Sequence, residues 1–328
     1  MRFFYLAAFI VALVGLGFLA LRWRAYREQE AMLKRVNTLI QQFGARDVQR
    51  RDAARKELLK IGSPAIPALV ETLAHKRELV RQGALETLEA IGSPAIEPLI
   101  LAMRDPEFKG RGFAVNALGR IAKKTKSLRA IRALISILED DRSKEQHVDT
   151  NAALMLTQIG KPAVKPLIAA LAYRNPTIPF DPRNRRIRSW AATILGTLGD
   201  RRAADASGKS PTGVDDADRR LIAAALQKAL RDEQEAIRSN AARGLGLMHD
   251  PRNLPILLEA LNDPQPNVRK AVVEAIGDTG DPAAERILWQ RASDLNEDEQ
   301  VRLAAQQAIL NMKLQRQNEE PIPKNSPD

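Results

Sequence analysis

The sequence predicts an all-α fold, an α-solenoid or superhelix of about eight helix pairs with an N-terminal transmembrane helix. Three observations lead to this prediction. A helix–corner–helix unit of about 30 residues recurs along the chain. Hydrophobic residues make up 45% of the 328 residues but aromatic residues only 4%, which favours a core packed by Ala, Leu and Ile. Residues 3–21 contain no charge, and an apolar helix of this length can just cross a bilayer.

Residues 80–103 are the clearest copy of the repeating unit. The apolar residues of its first half follow helical spacing, and Gly92 is typical of a helix C-terminus. Ser93 and Pro94 then favour the start of a second helix. A pair of helices this short cannot bury its apolar faces alone, so it needs neighbouring copies of itself.

The pattern divides the chain into an anchor, a lead-in helix, a repeat region and a tail. Two stretches rich in turn formers, at 173–186 and 200–216, predict loops inserted into the repeats. A cleaved signal peptide is the alternative interpretation of the N-terminus, but no cleavage motif separates the apolar run from the basic residues that follow it. The predicted boundaries are a transmembrane anchor with a basic flank at 1–24, a juxtamembrane helix at 25–45, the solenoid at 46–313 and a disordered tail at 314–328.

The basic excess of the chain lies near the N-terminus. The net charge is +11, and residues 1–130 hold 23 Lys and Arg against 12 Asp and Glu, whereas residues 131–328 hold 28 of each. The positive-inside rule then predicts a single-pass membrane protein with the solenoid on the cytoplasmic face. Basic residues beside an anchor also attract anionic lipid, which is a further candidate partner.

Three segments carry a family resemblance: VRQGALETLEAIGSPAIEPL, IRSNAARGLGLMHDPRNLPILLEALNDPQPNVRKAVVEAIGDTGDPAA and VRLAAQQAIL. They resemble the short HEAT repeats of the bilin-lyase-like subtype, and the resemblance extends over residues 46–313. It implies an architecture and leaves the activity open, because such proteins include chromophore lyases, accessory subunits and scaffolds. Metal-dependent hydroxylases built on these repeats need His-Glu dipeptides, whereas Lys, Val and Asp follow His75, His147 and His249.

No catalytic residue, cofactor or metal site is predicted. The three histidines are scattered, no Gly-rich phosphate loop is present, and the absence of cysteine excludes disulfides and thiolate ligands. The favoured function is a membrane-anchored scaffold that binds a protein partner on its concave face. One alternative is an accessory or lyase-like subunit acting on a cofactor-bearing protein. The other, less favoured, is a nucleic-acid-binding protein that uses basic clusters.

Arginine recurs near the start of the second helix of most pairs, and an aspartate stands six residues ahead of three of these arginines. We expect each aspartate to pair with its arginine and brace the corner between helices, because Arg–carboxylate pairs can be bidentate. An anion-binding ladder is the alternative. The predicted structural residues are Arg81, Arg111, Arg188, Arg238, Arg269, Arg302, Asp105, Asp232 and Asp263.

The second helices are expected to line the concave surface, so their outward positions are the candidate binding residues. These partner-binding positions are Lys56, Gln82, Glu86, Asn116, Thr193, Arg243, Lys270 and Glu274. Two local basic clusters are interpreted as a solvated face, and the less favoured alternative is a nucleic-acid-binding patch. The clusters comprise Lys123, Lys124, Lys126, Arg183, Arg185 and Arg186.

Overall fold

The computed structural model describes residues 2–140, 147–174, 181–203 and 210–319, excluding the side chains of residues 2–18, 20–21 and 317–319. Within these ranges the regular structure is helical, with α-helices joined by short turns. The helices are α1 (Arg2–Gln41), α2 (Val48–Ile61), α3 (Ile66–Thr72), α4 (Glu78–Ile91), α5 (Ile96–Arg104), α6 (Arg111–Thr125), α7 (Leu128–Ser136), α8 (Val148–Ile159), α9 (Lys161–Ala172), α10 (Pro182–Gly199), α11 (Asp216–Ala229), α12 (Glu235–Leu247), α13 (Leu254–Ala260), α14 (Pro266–Asp278), α15 (Ala284–Ser293) and α16 (Glu299–Glu319).

The chain forms two compact units, Met1–Ala117 and Leu118–Asp328, and the division falls within α6. In the first unit, α2 and α4 pack together, and the end of α1 contributes Val36 and Ile40 to the buried core. In the second unit, the second helices α10, α12, α14 and α16 pack side by side in that order. Each is also packed against the first helix of its own pair, which is α9, α11, α13 or α15. The predicted all-α solenoid is therefore confirmed.

Glycines end several second helices where the corner begins. Gly62, Gly92 and Gly160 adopt φ of 70°, 80° and 74°, a conformation that residues with a Cβ atom rarely adopt. After Gly92, a 3-10 turn over Ser93–Ala95 leads directly into α5, as the Gly-Ser-Pro pattern predicts. The repeated corner thus lets the chain reverse within a few residues.

The predicted membrane anchor is not supported. Among the residues that the structure describes, no helix combines the length and the apolar character needed to cross a membrane. Helix α1 continues for 40 residues, through a strongly charged second half, to the buried side chains Val36 and Ile40. The prediction of a single-pass membrane protein with the solenoid on the cytoplasmic face is therefore wrong. The side chains of most of residues 1–24 lie outside the described part of the chain.

Helix boundaries differ from the sequence-based ones at the insertions and at the tail. Helix α10 begins at Pro182, inside the stretch 173–186, because the Asp181 carboxylate caps the helix by accepting from the Arg183 amide at 3.0 Å. Helix α16 continues to Glu319, inside the stretch 314–328. Parts of the predicted loops, 175–180 and 204–209, and of the tail, 320–328, lie outside the described residues.

Candidate functional site

Within each of the two units, the predicted partner-binding positions lie on one face of the second helices, here called the second-helix face of that unit. Lys56, Gln82 and Arg243 are exposed, and the other five positions are partly buried: Glu86, Asn116, Thr193, Lys270 and Glu274. Cavities on these faces contain five of the eight positions, with Gln82 and Glu86 in the first unit and Thr193, Lys270 and Glu274 in the second. Five of the eight predicted positions therefore line local cavities, and their role in binding stays a prediction.

One cavity of about 370 Å³, here called the Trp190 cavity, lies where α8, α10 and α12 meet. Small-molecule and side-chain pockets in proteins reach this size. It combines an aromatic ring, two guanidinium groups, two hydroxyls and an amide. Its lining residues are Asp149, Arg185, Arg186, Ser189, Trp190, Thr193 and Asn240.

Ion pairing fixes one wall of the Trp190 cavity. Arg186 Nη2 donates to Asp149 Oδ2 at 3.2 Å, so a carboxylate of α8 holds a side chain of α10. The Arg186 Nε is buried, and no atom of the described residues accepts a hydrogen bond from it. Arg185 is exposed beside the partly buried Trp190. This arrangement can accept an apolar or aromatic side chain together with a neighbouring carboxylate.

The basic cluster residues occupy two helix ends in the second unit. Lys123 and Lys124 lie in the last turn of α6, where cations interact favourably with the helix dipole, and Lys126 follows just beyond. Arg183, Arg185 and Arg186 lie in the first turns of α10, where the dipole disfavours cations. The Asp181 cap and the Asp149–Arg186 pair offset that unfavourable placement.

A groove of about 560 Å³ runs between α14 and α16 on the same face. Lys270 and Glu274 form its α14 side, and Leu303, Gln307 and Leu310 belong to its α16 side. Glu274 also lies 3.8 Å from Arg243 Nε of α12, measured from its Oε2. The charges of the groove are therefore mixed rather than uniformly basic.

The first unit has a smaller cavity of about 260 Å³ between α2 and α4. Here the Glu86 carboxylate accepts hydrogen bonds from Arg55 and from Gln82 Nε2, the latter at 2.8 Å. Arg55 also pairs with Asp52 of its own helix. The ionic groups of this cavity neutralise one another, so it offers a ligand less unpaired charge than the Trp190 cavity does.

The repeated arginines form clamps between successive repeats. Arg238 Nη1 donates to the Asp232 carbonyl at 2.9 Å, while its Nε and Nη2 bind the Asp263 carboxylate at 2.6 and 2.9 Å. Arg269 repeats the arrangement, with the Asp263 carbonyl at 2.8 Å and the Glu297 carboxylate as its partner. Each arginine thus binds the backbone of its own corner and the acid of the next corner.

Arginine and acidic side chains do pair, but Arg238 and Arg269 each bind the carboxylate of the next corner instead of the predicted one, that of the aspartate six residues ahead. The backbone carbonyl of the aspartate accepts a hydrogen bond from the arginine six residues later. The carboxylate of the same aspartate instead binds the arginine of the preceding repeat. Arg188 accordingly pairs with Asp232, and Asp181 caps α10 instead. In the stacked pairs, each of these corners thus lies next to the second helix of the preceding pair.

The remaining arginines depart from the full clamp. Arg81 Nη1 donates to the His75 and Lys76 carbonyls at 2.8 and 2.9 Å, and its guanidinium lies 4.7 Å from the centre of the Phe113 ring. Buried Arg111 donates from Nε to the Met103 carbonyl at 2.9 Å. The Asp105 carboxylate accepts from the Glu107 amide at 2.9 Å. Within the described residues, Arg302 makes no side-chain hydrogen bond, and its Nε is buried.

The clamp carboxylates titrate at lower pH than ordinary ones. Burial would raise the pKa of Asp232, Asp263 and Glu297, but hydrogen bonds from Arg188, Arg238 and Arg269, respectively, lower the pKa of each below its usual range. A carboxyl group whose pKa is depressed by folding stabilises the folded state above its unfolded pKa. That stability is lost as the pH falls through the folded pKa.

We therefore expect the second unit to resist unfolding equally at pH values above about 5 and to lose stability progressively below about pH 4. Urea titrations at a series of pH values measure this, with Asp263→Asn as the comparison because it removes one depressed carboxyl. The variant should show a shallower loss of unfolding free energy on acidification. Identical pH slopes for the two proteins would contradict the assignment.

Metal ligands do not gather in the described part of the chain, where no group of three or more His, Cys, Asp or Glu side chains could hold an ion. His249 Nδ1 lies 3.1 Å from Asp200 Oδ1, which places this histidine in a pair at the ends of α12 and α10. His75 Nδ1 accepts from the Arg77 amide at 3.1 Å. His75 thus takes part in a hydrogen bond within its own corner, whereas His249 contacts a residue of the preceding repeat.

The predicted binding residues do not include Trp190, although it lines a cavity together with Arg185 and Arg186. The sequence could have drawn attention to Trp190, because only seven aromatic residues follow residue 26. Asn240 and Asp149 also line the cavity, and their sequence positions give no comparable signal. Helix packing alone brings them to Trp190.

Comparison with known proteins identifies the repeats. Residues 96–178 and 222–310, together more than half of the chain, match the family HEAT repeats. Among curated proteins, deoxyhypusine hydroxylase of Bos taurus is 37% identical over 71 residues. Those residues are 21% of this chain and 23% of that protein, so the chain matches less than a quarter of its curated relative.

Two solved structures are similar to the chain at low sequence identity. Kap121p bound to Nup53p is 12% identical, with a TM-score of 0.52 over 86% of this chain and 33% of Kap121p. Human deoxyhypusine hydroxylase in complex with glycerol is 21% identical over 87% of this chain and 99% of that one, with a TM-score of 0.32. The likeness to Kap121p supports the helical-repeat architecture alone.

Proposed function

This chain belongs to the HEAT-repeat family, and from that premise we propose that it is a scaffold that binds a protein partner on its second-helix face. We propose further that this face is the concave one and that the Trp190 cavity is its main anchor. The observation that carries the proposal is the meeting of Trp190, Arg185 and Arg186 in one cavity. Tryptophan and arginine dominate the energetics of protein interfaces when they lie in such pockets.

The charge pattern of the face supports a protein partner over a phosphate backbone. Nucleic-acid surfaces are strongly and continuously basic. Here Arg186 is paired with Asp149, and Glu274 lies in the groove beside Lys270 and close to Arg243. Kap121p, which shares the architecture, has been solved with the protein Nup53p bound. The similarity to deoxyhypusine hydroxylase covers a short repeat segment, and we propose no hydroxylase activity from it.

Trp190→Ala is expected to reduce recovery of the specific partner at least about ten-fold, because an interface tryptophan contributes about 2 kcal/mol or more. The tagged full-length chain would be used to isolate partners from its native cells with nuclease present, followed by quantitative mass spectrometry. Arg185→Glu is a second test, since the Arg185 side chain is exposed and we expect its replacement to leave the fold intact. Recovery should fall for both variants.

Trp289→Ala is the matched control, because Trp289 of α15 is half exposed and lies outside the Trp190 cavity. It should leave recovery unchanged. Equal recovery by the wild type and by Trp190→Ala and Arg185→Glu would overturn the proposal. Recovery of nucleic acid that nuclease abolishes together with all bound protein would favour the basic clusters instead. A cofactor-bearing protein among the partners would support the accessory-subunit alternative.

A further inference from the structure

Helix α16 ends the row of second helices in the described part of the chain, and its side chains differ from those of the internal helices at matched positions. Gly246 and Gly277 each stand eight residues after a clamp arginine. A Cβ atom at Gly246 would lie 2.7 Å from Ala275 Cα of α14, and one at Gly277 would lie 2.8 Å from Ala308 Cβ of α16. These glycines therefore mark the side that the next helix covers, and the matched residue in α16 is Leu310.

The side of α16 that corresponds to the covered side of α12 and α14 is apolar and open to solvent. Leu303, Leu310 and Leu314 are 49%, 50% and 49% exposed and follow helical spacing along one stripe. In α12, the residue matched to Leu303 is Ser239, which is only 6% exposed because it is covered. End helices of solenoids usually turn a polar face outward, so this leucine stripe indicates a contact surface.

Arg302 is the clamp arginine of α16, and among the described residues no carboxylate pairs with it. In Arg238 and Arg269 the Nε donates to an acid that the following repeat supplies. In Arg302 the buried Nε has no partner, and the described residues give the guanidinium no ion pair. Arg81 also has an unpartnered Nε, but its guanidinium is covered by Phe113 and bonded to two carbonyls. Burying an arginine donor without an acceptor is unfavourable, so the position suits an incoming carboxylate.

We infer that Arg302, Leu303, Leu310 and Leu314, here called the α16 end surface, dock a helical segment of a partner protein that carries an Asp or Glu beside an apolar face. The carboxylate takes the place on Arg302 that Asp263 takes on Arg238, and the apolar face covers the leucine stripe. This surface shares Leu303 and Leu310 with the groove between α14 and α16, but it shares no residue with the Trp190 cavity. The inference therefore stands whether or not that cavity binds a partner.

A peptide from the chain itself is a defined probe of this surface. Residues 262–279 contain the corner and helix that deliver Asp263 to Arg238. A fluorescent copy, made helical by a lactam between the side chains at positions 270 and 274, would be titrated with the full-length protein and followed by anisotropy. We expect saturable binding, with the Asp263→Asn peptide bound at least about ten-fold more weakly, because a charge-assisted bidentate contact is lost.

Arg302→Gln in the protein should abolish the difference between the two peptides, and Leu310→Glu should weaken both. Arg316→Gln is the matched control, since it removes the same charge from α16 at a residue that pairs with Glu285 of α15. It should leave both affinities unchanged. The inference is overturned if the peptide fails to bind, if the Asp and Asn peptides bind equally, or if Arg302→Gln preserves their difference.

Discussion

Asp263→Ala is expected to lower the free energy of unfolding of the second unit by about 3–5 kcal/mol, the range for breaking a buried ion pair from one side. The Asp263 and Arg238 side chains are only 9% and 13% exposed. The substitution leaves two guanidinium nitrogens of Arg238 without acceptors and removes the acceptor of the Gln265 amide. Both losses act at the boundary between two repeats. Urea denaturation followed by circular dichroism measures the change.

Glu259→Ala is the control for this experiment. Glu259 pairs with Arg231 at 3.3 Å, but the two side chains are 66% and 75% exposed, so the loss should be below about 1 kcal/mol. Replacing both clamp partners, as Arg238→Met with Asp263→Leu, should recover much of the stability because no unpaired charge remains. An unchanged melting temperature for Asp263→Ala would show that the clamp is not structural.

The clamps show where inference from sequence reaches its limit. The corner Gly92-Ser93-Pro94 could be predicted because each residue acts on its own backbone, through a positive φ, a turn and a fixed ring. The carboxylate partner of Arg238 could not be predicted, because two aspartates are candidates for it. Asp232 is near in sequence and supplies a carbonyl, whereas Asp263 is near in space and supplies the carboxylate. Only the stacking of repeats decides between them.

The candidate site could also be predicted from the sequence only in part. The positions on the second-helix face follow from helical spacing, and Thr193, Lys270 and Glu274 do line cavities. The Trp190 cavity requires three helices at a particular separation, and the length of the insertion before α10 does not reveal that separation. The N-terminal anchor was predicted from local features, namely an uncharged apolar run followed by basic residues. The structure continues α1 past this stretch to side chains that pack in the first unit.

Close helix packing beside the Trp190 cavity depends on a pair of glycines in α10 and α12. A Cβ atom at Gly196 would lie 2.5 Å from the carbonyl oxygen of Gly244 and 2.6 Å from its Cα. Both obstructing atoms belong to the backbone, so neither can rotate away, and the helices must separate to admit a side chain. Since Trp190 and Asn240 lie on these two helices, their separation also sets the width of the cavity.

Gly196→Val is therefore expected to lower the free energy of unfolding by about 3 kcal/mol, at the upper end of the range for overpacked cores. The better helix propensity of valine offsets only a few tenths of a kcal/mol of this loss. Thr197→Val introduces the same side chain at the next, exposed position and should change stability by less than about 0.5 kcal/mol. Urea denaturation of both variants tests the difference. If Gly196→Val is as stable as Thr197→Val, the two helices are not held at backbone contact, and the Trp190 cavity has a different width from the one described.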